Sequence, residues 1–100
     1  MVKVKLSLKA RKDLEIVKEF IARDNPVRAE SFSEELLEHS YKIITTFPLS
    51  SPLYNKPKNI RRLVYKKYNI YYRFNTSKQT ADILHILNSA LLLNMTIKRL

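Results

Sequence analysis

The hydrophobic pattern of the chain changes period twice, and that narrows the fold more than any other feature. Val2, Val4, Leu6 and Leu8 alternate with Lys3, Lys5, Ser7 and Lys9, the two-residue period of a strand with one apolar face. From Ala10 the spacing becomes helical: Ala10, Leu14, Val17 and Ile21 form a stripe that Ile16 and Phe20 widen. Asp24-Asn25-Pro26 is the hinge. Proline has no N–H and suits the first turn of a second helix, and Asn25 suits its N-cap. The second stripe is Ala29, Phe32, Leu36, Ile43 and Phe47, widened by Leu37, Tyr41 and Ile44. So short a link makes the two helices antiparallel neighbours.

The period then returns to two. Pro48, Pro52 and Pro57 punctuate residues 48 to 58, which read as one long loop. A strand is expected over about Asn59 to Tyr65, followed by a tight Lys66-Lys67 connection, although neither lysine favours positive φ. The next strand spans about Tyr68 to Phe74, with Ile70, Tyr72 and Phe74 on one face and Tyr71 and Arg73 on the other. After a polar turn, a last strand covers about Ala81 to Asn88. Ala81, Ile83, His85 and Leu87 share one face of it, and Asp82, Leu84, Ile86 and Asn88 the other. Strands joined this closely imply an antiparallel meander. The expected fold is α+β in a single domain over residues 1–100. An N-terminal strand precedes a helical hairpin, and a three-strand antiparallel meander joins the first strand in one antiparallel sheet, with the helices packed on one face. In residues 89 to 100, Ala90, Leu93, Ile97 and Leu100 form a helical stripe that Ser89 could cap. A short packed helix is expected there, the alternative being a segment that orders only against a partner.

Composition closes several routes to function. There is no cysteine, which excludes disulfides and thiol chemistry and is compatible with a reducing cytoplasm, the expected location. The start of the chain carries no signal-like apolar stretch and nothing approaches the length of a membrane span. Glycine is absent altogether, which removes P-loops and glycine-rich dinucleotide turns. The net charge is +10, and it is unevenly spread. Residues 1 to 41 hold eight basic and eight acidic residues, whereas residues 42 to 100 hold eleven basic residues and one acid, Asp82. A neutral hairpin beside a basic sheet half steers an anionic partner: RNA, DNA, or an acidic protein surface.

The best candidate site is the basic cluster Lys56, Lys58, Arg61, Arg62, Lys66, Lys67 and Arg73, interleaved with Tyr54, Tyr65, Tyr68, Tyr71 and Tyr72. Cations neutralise phosphates and aromatic faces stack on unpaired bases, while the same tyrosines also serve as strand formers that pack across strands. Arg61 and Arg62 must point to opposite faces, so at most one of them can share a site with Arg73. His85 lies on an apolar strand face, where a satisfied, partly buried histidine competes with a general acid or base. His39 stands among Glu35 and Glu38 on the second helix, and two distant histidines without cysteine hold no zinc. Glu30, Glu34 and Glu38 follow one helix edge and read as a solvated face.

Several of these segments also carry a family resemblance. Ala10 and Leu14, then Phe20-Ile21-Ala22-Arg23-Asp24-Asn25-Pro26, Ala29 and Phe32, resemble the helical hairpin of the ParE/RelE toxins of bacterial type II toxin–antitoxin systems. Ile60-Arg61-Arg62-Leu63, Tyr68-Asn69-Ile70-Tyr71-Tyr72-Arg73 and Ile83-Leu84-His85-Ile86-Leu87 resemble the sheet of the same superfamily. The resemblance implies a toxin that needs no cofactor and no metal and forms a hetero-oligomer with a cognate antitoxin, through an amphipathic, acidic segment of that partner. It places target binding on the basic sheet face, at Arg61, Arg62, Tyr71, Arg73, His85 and Asn88. ParE-like members act on DNA gyrase; RelE-like members cleave mRNA on the ribosome. The RelE pattern expects Tyr-Arg-hydrophobic entering the third strand, where this chain has Tyr68-Asn69-Ile70. Asn88 and Leu91 stand where His and Arg are common. Asparagine and leucine transfer no proton and carry no charge, so the acid–base pair for 2′-OH attack cannot be identified. The resemblance therefore implies gyrase inhibition by binding, not turnover. Alternatives are ribosome-dependent mRNA cleavage and a non-toxic relative that only binds antitoxin.

Overall fold

The computed structural model describes residues 2–89. Its elements are β1 (Lys3–Leu6), α1 (Leu8–Ala22), α2 (Pro26–Thr46), β2 (Leu53–Asn55), β3 (Ile60–Tyr65), β4 (Tyr68–Asn75) and β5 (Thr80–Asn88). The five strands form one sheet in the order β1-β5-β4-β3-β2. The expected tail helix lies outside the described residues.

The sequence-predicted capping chemistry is in place. Ser7 is extended, and its Oγ accepts from Ala10 N to start α1. This stops β1 at Leu6 and leaves Leu8, expected on the strand's apolar face, exposed in the first helical turn. Asp24 N and Asn25 N donate to Ile21 O at the end of α1. The Asn25 side chain then accepts from Arg28 N, and Pro26 opens α2. The stripes are narrower than expected. Ala10, Leu14 and Val17 are buried, as are Ala29, Phe32, Leu36 and Ile44. Ile16, Phe20 and Phe47 are exposed instead. The α2 stripe also takes in Ser33 and Ser40, whose hydroxyls donate to Glu30 O and Leu36 O, so each buried oxygen is satisfied within its own helix.

The sheet differs from the expected one in three ways. β1 pairs with β5 in parallel, Val4 opposite Ala81 and Leu6 opposite Ile83, so the sheet is mixed and not wholly antiparallel. Two helices between β1 and the meander return the chain to the β1 start before it runs on, and alternation alone carries no strand direction. The Pro-rich loop contributes a short fifth strand, β2, antiparallel to β3. In β5, finally, the register slips by one residue: Tyr71 lies opposite His85 and Tyr72 opposite Ile83, leaving Leu84 as the extra residue of a bulge. The bulge breaks the simple alternation expected for this strand. Ala81, Ile83 and Ile86 are buried in the main core with Ile70, Tyr72 and Phe74, while Leu84 and Leu87 join a second cluster with Ile60, Tyr71 and Tyr54.

The main core lies between the hairpin and one sheet face. Among the described residues the opposite face, termed the open face, carries only the small second cluster. Beyond Leu6, β1 no longer covers β5, and α1 substitutes for the missing strand. Asp13, itself buried, accepts the Ile86 backbone N–H at 3.1 Å, which supplies a partner for an otherwise unpaired edge group. No helix among the described residues is long and apolar enough to cross a membrane.

Candidate functional site on the open sheet face

Strand pairing decides which side chains meet. Directly opposed residues share a face, so Arg62 (β3), Tyr71 (β4) and His85 (β5) form one row across the open face. The next row is Ile60, Arg73 and Asp82, and on the other side lies Val64, Asn69 and Leu87. Arg62 thus joins the face of Arg73. Arg61, opposite Tyr72, lies on the hairpin side. Its Nη1 donates to Ser51 O at 2.7 Å and Leu49 O at 3.3 Å, and Tyr72 Oη donates to Pro48 O nearby. Both side chains pin the Pro-rich loop, so Arg61 stands apart from the open face.

Tyr71 is the centre of that face. Its ring is fully buried and meets Tyr54 edge-on, 4.9 Å between centroids at 68°. The Arg62 guanidinium sits over the Tyr54 ring, 5.8 Å from its centroid. The Tyr71 hydroxyl is buried with no hydrogen-bond partner among the described residues. Burial pushes its pKa above the usual phenol value, the adjacent Tyr54 adds to this, and the Arg62 charge opposes it. Asn69 is also buried, and its row offers no titrating group.

Arg73 is exposed and its Nε donates to Lys58 O at 3.0 Å. His85 is held by α1: its Nδ1 lies 3.1 Å from Asp13 Oδ2, the oxygen that also accepts Ile86 N. Ser7 ties the same region together, its N donating to Ile83 O and its Oγ to Leu84 O. Asn88, opposite Tyr68, belongs to the hairpin side. It lines a groove of about 80 Å³ between α1 and β5 with Ile16, Val17, Phe20 and Ile86. Of the six expected target-binding residues, Arg62, Tyr71, Arg73 and His85 come together, whereas Arg61 and Asn88 do not. Leu91 lies outside the described residues. Among the described residues no three potential metal ligands are clustered.

Asp13 is a site residue that strand and helix patterning alone did not single out. Its signal was present: Ala10, Asp13 and Val17 fall at i, i+3 and i+7, which puts a carboxylate on the buried face of α1, where it must find donors.

The chain matches the family model described as ParE toxin of type II toxin-antitoxin system, parDE, over residues 4–90. It belongs to the ParE toxin family. Among solved structures it resembles a chain of the chromosomal ParDE toxin–antitoxin system from P. aeruginosa, with a TM-score of 0.73 at 16% identity over 88% of this chain and 96% of that one. It also resembles a chain of the RelBE2 toxin–antitoxin complex from Mycobacterium tuberculosis, with a TM-score of 0.66 at 20% identity over 87% of this chain and 96% of that one. At such identities the likeness establishes the shared fold. No curated protein sequence matches the chain. For this ParE-family toxin the open face presents cations, the Tyr54 ring and one oriented imidazole.

Proposed function

We propose that this ParE-family toxin inhibits DNA gyrase by binding it, and that a cognate antitoxin silences it by occupying the groove between α1 and β5. The family match supports the first part, and the chemistry of the open face carries it. RNA cleavage by 2′-OH attack needs a base, an acid and charge stabilisation. On this face cations abound, yet among the described residues it carries one imidazole, His85, and Asp13 occupies its Nδ1. A single tethered imidazole supplies one of the two proton-transfer roles, and the Asn69 row supplies none. Binding through Arg62 and Arg73 needs no such pair. In a gyrase supercoiling assay, inhibition is expected to saturate near one toxin per enzyme. Codon-specific mRNA cuts on ribosomes, with gyrase unaffected by the same preparation, would reverse the assignment.

The two solved structures described above are both of toxin–antitoxin systems. Ile16 and Phe20 are 59% and 49% exposed beside the part of β5 that β1 leaves uncovered. An amphipathic segment would bury these side chains, and acidic residues on it would answer the +10 charge. Co-purification with the product of an adjacent reading frame, accompanied by a rise in melting temperature, is the expected result.

A further inference from the structure

The open face ends, beside the β5 bulge, in a concavity of about 290 Å³. Three cations reach it from three separate elements: Lys9 from the first turn of α1, Lys58 from the loop before β3, and Arg73 from β4. His85 forms part of the wall, and Ile60 and Leu84 make an apolar floor. No carboxylate lines it; Asp82 stands in the same row as Ile60 and Arg73, between Arg73 and Lys5 in the sheet, and is not part of the lining. The placement of Lys9 adds a second observation. A helix N-terminus carries partial positive charge and favours acidic residues in its first turn, yet the first turn of α1 has none and Lys9 stands there beside two more cations. Gathering like charges at the positive end of a helix is unfavourable unless an anion joins them.

We infer that this concavity is a binding site for a phosphate group. Donors converging from several directions suit a tetrahedral, multiply charged oxyanion better than a planar carboxylate. Arg73 is pre-oriented by its bond to Lys58 O, and His85 by Asp13. The bulge at Leu84 opens the concavity by turning β5 away from regular alternation. The phosphate can belong to a free nucleotide or to a polynucleotide backbone. The site shares the open face with the gyrase reading but does not depend on it, because phosphate binding is measured on the toxin alone.

The test exploits the two histidines of the chain. His39 is on α2, stacked on Tyr65 at 4.7 Å, and serves as an internal control. Inorganic phosphate is titrated at constant ionic strength while the imidazole NMR signals are followed. A saturable shift of His85 with His39 unmoved is expected. In a Lys58→Ala/Arg73→Ala variant with an unchanged melting temperature, the affinity should fall about tenfold or more, because charge-assisted hydrogen bonds are removed. A 5′-mononucleotide and an oligonucleotide lacking terminal phosphates then tell the sources apart by which binds more tightly. For the oligonucleotide, the double variant should also flatten the salt dependence by roughly 0.7 in log–log slope for each phosphate no longer neutralised. Equal movement of both histidines in the wild type, or undiminished affinity in the double variant, overturns the site.

Discussion

Tyr71 and Asp13 show opposite ways of burying a polar side chain. Tyr71 leaves its hydroxyl in the interior with no hydrogen-bond partner among the described residues, so removing that oxygen costs little. Tyr71→Phe is expected to leave the unfolding free energy unchanged or to raise it by about 1 kcal/mol, measured by urea denaturation at pH 7. The pH dependence follows from the raised pKa of this phenol. Between the unfolded and folded values the folded state binds the extra proton, so its stabilisation is complete below about pH 10 and is lost as pH climbs through the folded value. Wild-type stability should therefore fall on the alkaline side, and Tyr71→Phe should show a smaller fall. Asp13 instead serves two donors with one oxygen, Ile86 N and His85 Nδ1. Asp13→Ala leaves the Ile86 N–H buried without its acceptor and should cost about 1–3 kcal/mol, whereas Asp13→Asn retains an acceptor oxygen and should cost less. Unfolding curves of the two variants check the ranking. The face of Tyr71 was legible from strand alternation, because β4 is regular. The role of Asp13 was not, because its partners come from a strand more than seventy residues away.

At the scale of elements, the chain builds its strand connections without glycine. Asn59, Lys66 and Gln79 adopt φ values of 57°, 54° and 53°, the left-handed region that costs most side chains about 1–2 kcal/mol. Asn59 offsets this with a side-chain bond to Phe74 O, and Lys66 by reaching the Phe32 and Tyr65 rings, 5.8 Å and 5.6 Å from their centroids. The Gln79 side chain makes an exposed bond to Thr76 O, while its carbonyl, which glycine would keep, accepts from Lys3 N. Gln79→Gly should thus stabilise the fold by about 0.5–1 kcal/mol after allowing for the greater freedom of glycine in the unfolded chain, seen as a higher melting temperature. The helical hairpin and three of the strands were legible because stripes, caps and alternation agree locally. The parallel pairing of β1, the three-residue β2 and the bulge at Leu84 were not. Direction, very short strands and a one-residue slip are fixed by tertiary packing, which a two-residue period cannot encode. The bulge matters for the proposed site, since it sets the row in which His85 stands.

Across the whole molecule, two surfaces divide the chemistry. The open face gathers Arg62, Arg73, Lys58 and His85, and the far side of β5 presents the apolar groove of Ile16 and Phe20. The charge imbalance between the two halves of the chain was visible in the sequence, and pointed to the sheet. Which arginine joins the face was not, because it depends on the register of β3 with β4: Arg62 opposite Tyr71, Arg61 opposite Tyr72. Separate surfaces imply separable functions. Arg62→Gln/Arg73→Gln removes one half-buried and one exposed charge, and should weaken the proposed gyrase inhibition and reduce its dependence on salt while leaving antitoxin binding nearly intact. Ile16→Asp/Phe20→Asp places carboxylates in the groove, and should abolish the antitoxin complex while inhibition of gyrase persists. Both side chains are about half exposed or more, so the melting temperature of the free toxin should barely change. Supercoiling assays and antitoxin co-purification on the same two variants read the four combinations. Loss of both activities in either variant, with folding retained, would mean that target and antitoxin compete for one surface, and the silencing mechanism would be direct occlusion of the target site.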